Sequence, residues 1–171
     1  MNTLKKNLVL TGMMGSGKTT IGKSLSQRLN MQFADIDDII EKKNGLSISA
    51  IFEQRGEKAF RAEEEEESKK AIKKSNIIIA LGGGAFINEN IRDEIKKNSV
   101  SIWLDLDIEI LYKRVKLSQK RPLLKNSSKE ELKKINNDRK KIYSLADFKI
   151  QCTLKNKDQI INEIVKIYAS R

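Results

Sequence analysis

The 171-residue chain contains no histidine. That single absence removes histidine-based catalytic triads, zinc–histidine sites and the commonest general base. Acid–base chemistry is left to Asp, Glu, Lys, Arg, Tyr or solvent. One cysteine, Cys152, excludes an internal disulfide and fits a reducing compartment. Within the strand-like Phe148-Lys149-Ile150-Gln151-Cys152 it reads as a core residue rather than a reactive thiol. Proline occurs once, at Pro122, inside a polar, irregular segment from Leu117 to Ser128. Aromatic residues are 5% of the chain, too few for a base-stacking platform, and the lysines are scattered along helical segments. The net charge of +11 therefore reads as a solvated surface rather than a nucleic-acid-binding stripe. No apolar run approaches bilayer-spanning length, and Met1-Asn2-Thr3-Leu4-Lys5-Lys6 lacks a signal-peptide pattern. A single cytoplasmic domain with no nucleic-acid or membrane partner is expected, and a monomer.

What is present is a glycine-rich stretch, Gly12-Met13-Met14-Gly15-Ser16-Gly17-Lys18-Thr19, followed by Thr20. It fits the phosphate-binding loop pattern of a glycine, four residues, then Gly-Lys-[Ser/Thr]. Its surroundings agree. The apolar Leu8-Val9-Leu10 reads as a buried strand entering the loop, and Ile21, Leu25 and Leu29 recur at helical spacing beyond it. Glycines let successive backbone N–H groups turn inward toward phosphate oxygens, and the helix start at Lys18 adds its positive end. In this pattern Lys18 reaches the β- and γ-phosphates and the Thr19 hydroxyl ligates Mg²⁺.

The remainder alternates strand and helix, the pattern of a parallel sheet covered by helices on both faces. Strands are expected near 8–10, 32–35, 77–81, 100–104 and 148–152. Asn44-Gly45 is a helix C-cap pair and Ser47 a cap for a short helix to Phe52. A long helix is expected from Glu57 to Lys74, with its acids Glu63 to Glu67 mostly solvated and paired four residues on with lysines. In such sheets ligands gather beyond the carboxyl ends of the strands. That brings together the loop after strand one, Asp35 to Asp38, and Gly82-Gly83-Gly84.

Asp35 and Asp37 lie two apart at a strand end, where extended backbone points alternate residues the same way. Such a pair can divide metal organisation from proton acceptance, although either alone also suits a helix cap. Three consecutive glycines at a strand end signal close backbone approach to a ligand. Arg61 and Arg139 are suited to bidentate grip of a small carboxylate. Asp105, at the end of Ile102-Trp103-Leu104, looks like a metal-binding aspartate.

Taken together, the chain resembles the shikimate kinases over nearly its whole length. The motifs run in order: Gly12 to Thr19; Asp35 and Asp37; Gly56, Glu57, Phe60, Arg61 and Glu64; Gly82 to Gly84; Arg121-Pro122-Leu123-Leu124; and Arg139 with Tyr143. The resemblance implies a three-layer P-loop kinase fold with a five-stranded parallel sheet of order 2-3-1-4-5, acceptor-binding helices at about 36–74 and a mobile lid at about 117–128. It implies ATP-dependent phosphorylation of the 3-hydroxyl of shikimate to shikimate 3-phosphate, on the route to chorismate and the aromatic amino acids.

By that resemblance Asp37 binds the ring hydroxyls and acts as base, with Lys18 and Arg121 as the other catalytic groups. Arg61 and Arg139 hold the carboxylate, Gly82, Gly83 and Gly84 supply backbone donors, Phe52 and Phe60 pack on the carbocycle, and Glu64 orients Arg61. Gly12 to Thr20, Arg114 and Arg121 bind ATP, Arg114 by stacking on adenine. One Mg²⁺ is held by Thr19 and, through water, by Asp35. The resemblance also implies that strand four lies across strand one from the acceptor pocket and that Asp35 takes the metal-proximal place, so Asp105 is rejected. Two departures stand out. Many relatives carry proline before the tyrosine, where this chain has Lys140-Lys141-Ile142, and the segment 153–157 matches the family's adenine loop poorly and receives no assignment. The competing readings are another small-molecule kinase of the same topology, such as a gluconate-type kinase, and a non-catalytic nucleotide-switch or nucleic-acid-binding P-loop protein.

Overall fold

A computed structural model describes residues 6–118 and 126–170. Five parallel strands form one sheet: β1 (Asn7–Thr11), β2 (Gln32–Asp35), β3 (Ile77–Ala80), β4 (Ser99–Asp105) and β5 (Phe148–Gln151), in the order β2-β3-β1-β4-β5. The register places Leu10 of β1 beside Ala80 of β3 and Ile102 of β4. Every residue of β1, β3 and β4 is buried, whereas β2 and β5 alternate toward solvent. Strands covered on both faces read as continuous apolar runs, and Ile77-Ile78-Ile79 is the plainest example.

The helices are α1 (Lys18–Leu29), α2 (Ile36–Asn44), α3 (Ile48–Ile72), α4 (Glu89–Asn98), α5 (Ile108–Leu117), α6 (Lys129–Tyr143) and α7 (Lys157–Ala169). A short 3₁₀ turn covers Ala85–Ile87. Gly45 closes α2 at φ 63°, and the Ser47 side chain accepts from the Ala50 N–H to start α3, both as the sequence suggests. Buried Asn7 ties the end of α3 to β3. Its amide donates to the carbonyls of Ile72 and Lys74, and its oxygen accepts from the Ile77 N–H.

The short helix expected to end near Phe52 and the long one expected from Glu57 meet at Gly56, whose φ of 79° and ψ of 167° are not helical, so α3 is two helices joined at a bend. Two expectations are corrected. The run Glu63 to Glu67 is not mostly solvated: among these acids only Glu66 is exposed. Glu63 and Glu67 reach across to Lys43 of α2, at 3.2 and 2.8 Å, while the pairs Glu65–Lys69 and Glu66–Lys70 form along the helix as the spacing implies. Finally, α2 already begins at Ile36, so the strand alternation invoked for Asp35 and Asp37 does not apply. They come to the same cleft because a helix starts between them.

Candidate active site

The strand order reverses at β1, and the loop leaving its carboxyl end sits where an open α/β sheet places its ligand. Gly12, Gly15 and Gly17 hold φ values of 138°, 79° and 97°, conformations that a side chain would strain. The Lys18 ammonium donates back to the carbonyls of Gly12 and Met13, at 2.8 and 2.9 Å, and so ties the loop into a ring. The Ser16 hydroxyl is buried with no hydrogen-bond partner among the described residues. A turn that leaves a buried donor unmet and lies against a helix N-terminus is chemically suited to phosphate.

A cleft of about 530 Å³ opens over this loop, lined by Met14 to Thr20, Asp35, Asp37 and Arg114 among others. Arg114 donates to the Gly15 carbonyl at 3.0 Å, which lays its guanidinium along the loop. Met13 contributes differently from its neighbours: its side chain is buried in the core, and its thioether lies 3.8 Å from the Tyr143 hydroxyl. The Thr19 hydroxyl donates to Asp35 Oδ2 at 2.5 Å, and Asp35 Oδ1 accepts from the Asp38 N–H at 3.3 Å. Asp35 is therefore both a helix cap and the loop's partner. Burial pushes its carboxyl above the ordinary value; the Thr19 bond opposes this, and the neighbouring charges of Asp37 and Asp38 add to it.

The second half of the site is the triple glycine, packed edge to edge with that loop. A methyl group on Gly82 would strike Glu64 Oε1 at 2.5 Å and Asp37 Oδ1 at 2.7 Å. On Gly83 it would press to 3.3 Å on the Met14 nitrogen, and on Gly84 it would fall 2.6 to 2.9 Å from the Arg61 guanidinium. Side chains from α2 and α3 thus occupy the space that a Cβ on Gly82 or Gly84 would need. Arg61 donates to Glu64 Oε2 at 2.6 Å and to Glu57 at 3.3 Å. Burial works against its charge, but the two carboxylates prevail and push its pKa above the ordinary arginine value.

The break at Gly56 makes this geometry possible. Phe52 and Phe60 are eight residues apart, about 12 Å along a straight helix, yet their ring centroids lie 4.7 Å apart. The Arg61 guanidinium rests 5.2 Å from the Phe60 ring centroid and 5.9 Å from that of Phe52. Asn44 bolts the bend: it accepts from Arg55 before the break and donates to Glu63 after it. From α6, Arg139 donates to the Gly83 carbonyl at 3.1 Å. The cleft over the loop thus adjoins the triple glycine, against which two guanidiniums lie, one of them beside the Phe52–Phe60 pair.

The model of the shikimate kinase family matches residues 14–169. The chain belongs to the shikimate kinase family. A shikimate kinase from a Sulfurihydrogenibium species is 41% identical over 160 residues, covering 94% of this chain and 96% of that protein. Among solved structures, the shikimate kinase of Acinetobacter baumannii in complex with shikimate superposes with a TM-score of 0.91 at 30% identity, over 98% of this chain and 94% of that one. A gluconokinase from Sinorhizobium meliloti reaches a TM-score of 0.62 at 11% identity, over 98% and 93% of the two chains, a likeness of fold alone. The family's activity is phosphoryl transfer from ATP to shikimate, a step toward the aromatic amino acids.

In this member of the shikimate kinase family, the sequence-predicted residues Lys18, Thr19, Asp35, Asp37 and Arg114 share one cleft, and Phe52, Phe60, Arg61, Glu64, Gly82 to Gly84 and Arg139 gather beside it. Arg121 lies outside the described residues. The Asp105 carboxylate is held by Lys149 at 3.0 Å. Sequence reasoning missed the far wall, where Cys152, Lys155, Lys157 and Ile160 line the cleft. The only available signal was their position just past β5; no motif marks them. Cys152 is core, as expected, and burial pushes its thiol up to about 11.

Proposed function

We propose that the two adjoining pockets divide the reaction between them, the loop after β1 holding ATP and the triple-glycine pocket holding shikimate. The observation that carries this assignment is the convergence of Arg61, from α3, and Arg139, from α6, on the glycine stretch. Two guanidiniums flanking a narrow pocket suit a carboxylate, and the Phe52–Phe60 pair suits the apolar face of a carbocycle.

Phosphoryl transfer asks a protein chiefly for in-line positioning and for positive charge at the equatorial oxygens. Lys18 is already aimed across the loop and exchanges its carbonyl partners for phosphate oxygens. Arg114 covers the adenine side, and Arg121 supplies further charge from the 117–128 lid. Asp37 faces Gly82 at the boundary between the pockets, where it orients the 3-hydroxyl and takes its proton. Glu64 holds Arg61 at a fixed angle. The Thr19 hydroxyl and the Asp35 carboxylate are hard oxygen donors that fit Mg²⁺, which keeps most of its waters and takes few protein ligands. When bound, the ion would neutralise charge on the β- and γ-phosphates.

In this reading the chain works as one domain, as a monomer, in the cytoplasm, with ATP and shikimate as its partners and no nucleic acid. Among the described residues no helix is long and apolar enough to cross a membrane. Calorimetric titration of shikimate into Arg61→Ala and Arg139→Ala tests the pocket. Affinity is expected to fall at least tenfold in each, the loss of a charged hydrogen bond. Unaltered affinity in both would overturn the assignment.

A further inference from the structure

Three consecutive glycines are the least self-constrained stretch a chain can contain, yet this one must present donors at fixed positions. Its rigidity comes from outside. The Gly82 carbonyl accepts from the Ala85 N–H and the Gly84 carbonyl from the Ile87 N–H, each at 3.1 Å, both within the same short turn. The Gly83 carbonyl is held from α6 instead. It accepts the Tyr143 hydroxyl at 2.5 Å and the Arg139 guanidinium at 3.1 Å, two residues one helical turn apart.

These two donors are not equivalent. Arg139 is half-buried at the pocket edge, and in the proposed function its guanidinium turns toward the acceptor's carboxylate. Tyr143 is fully buried, with its ring 5.9 Å from Trp103 and its hydroxyl near the Met13 sulfur. Once Arg139 engages a ligand, Tyr143 still holds the Gly83 carbonyl toward α6. In a trans peptide the carbonyl and the following N–H point opposite ways, so this bond also turns the Gly84 N–H away from α6. Met13 belongs to the phosphate loop, so one phenol joins the nucleotide half of the site to the acceptor half.

We propose that Tyr143 is a positioning residue for the acceptor: its buried phenol fixes the Gly83–Gly84 peptide, and with it the Arg139 guanidinium that shares the same carbonyl oxygen. This rests on the reading of Arg139 as a carboxylate clamp. Tyr143 touches neither ATP nor shikimate and acts through the groups that do. Because a positioned pocket binds ground state and transition state alike, its loosening raises KM for shikimate and leaves kcat nearly unchanged.

The test is Tyr143→Phe, which keeps the ring and removes only the hydroxyl. KM for shikimate is expected to rise about fivefold, the factor that one net hydrogen bond is worth, with kcat and KM for ATP within about twofold. Tyr168→Phe is the matched control, because the Tyr168 hydroxyl also donates to a backbone carbonyl, that of Lys6 at 2.9 Å, but far from the site. It should lower Tm comparably and leave KM for shikimate unmoved. If Tyr143→Phe changes KM no more than Tyr168→Phe does, the role is merely structural and the proposal fails. A raised KM in Arg139→Ala beside an unchanged one in Tyr143→Phe would sink the proposal and spare the clamp. Unchanged KM in both would sink the two together.

Discussion

A single methyl group at Gly84 should separate acceptor binding from nucleotide binding. Gly84 sits at φ −101° and ψ −12°, a backbone conformation open to alanine. The obstacle is therefore the neighbour and not the chain. An alanine Cβ would lie 2.6 Å from Nη1, 2.8 Å from Nη2 and 2.9 Å from Cζ of Arg61. Ordinary contact requires about 3.5–4 Å, so the guanidinium must retreat by roughly 1 Å and release Glu64, with which it now bonds at 2.6 Å. Glu64 is 2% exposed and has little water to replace the lost donor.

A hydrogen bond to a charged group is worth about 1.5–3 kcal/mol, so KM for shikimate should rise roughly tenfold to a hundredfold in Gly84→Ala. The same retreat should lower Tm by a few degrees, at about 2–4 °C per kcal/mol for a chain of this size. KM for ATP should stay put, since the β1 loop is untouched. Gly45→Ala is the control: it has open space around it but a φ of +63°, so it strains the backbone without approaching the site. A coupled ADP-release assay at varied shikimate reads the difference. If Gly84→Ala keeps a wild-type KM for shikimate, Arg61 does not serve the acceptor, and the reasoning about the glycine stretch is wrong.

Two further outcomes follow from burial. The folded protein binds the Asp35 proton more tightly than the unfolded chain, so stability declines as pH climbs from 3.8 through the raised value. Asp35→Asn should flatten that decline and hold or raise Tm at pH 7 without metal, while turnover with Mg²⁺ drops at least about tenfold; a lower Tm with unaffected turnover would refute this. Cys152, with its thiol pushed from 9.0 to about 11, should react at pH 8 about a hundredfold more slowly with a disulfide reagent in the native protein than in urea, a factor of ten per pKa unit. Equal rates would refute its burial.

How much of this was legible in the sequence depends on how local the cause is. The loop after β1 is written in consecutive residues, each with a backbone reason, and the buried strands β1, β3 and β4 were visible as largely apolar runs. Arg61, Glu64 and the triple glycine were legible as motifs, but their interlock was not. That a Cβ on Gly84 collides with Arg61 is a fact of tertiary packing between α3 and the turn after β3. The break at Gly56 was legible as the gap between a helix expected to end at Phe52 and one expected to begin at Glu57, but the ring contact it creates was not. Lys155 and Lys157 received no role because the turn after β5 carries no periodicity and the segment 153–157 matches the family's adenine loop poorly. Tyr143 was noticed only as part of a pattern. Its meaning depends on a carbonyl sixty residues earlier.

The most direct measurement is ADP release by purified protein with ATP and Mg²⁺, with shikimate, gluconate or a nucleoside monophosphate supplied as acceptor in turn. Shikimate alone should stimulate release in proportion to the shikimate 3-phosphate formed. Release that ignores shikimate, or that follows gluconate or a nucleoside monophosphate instead, would contradict the assignment of the triple-glycine pocket to a cyclic carboxylate.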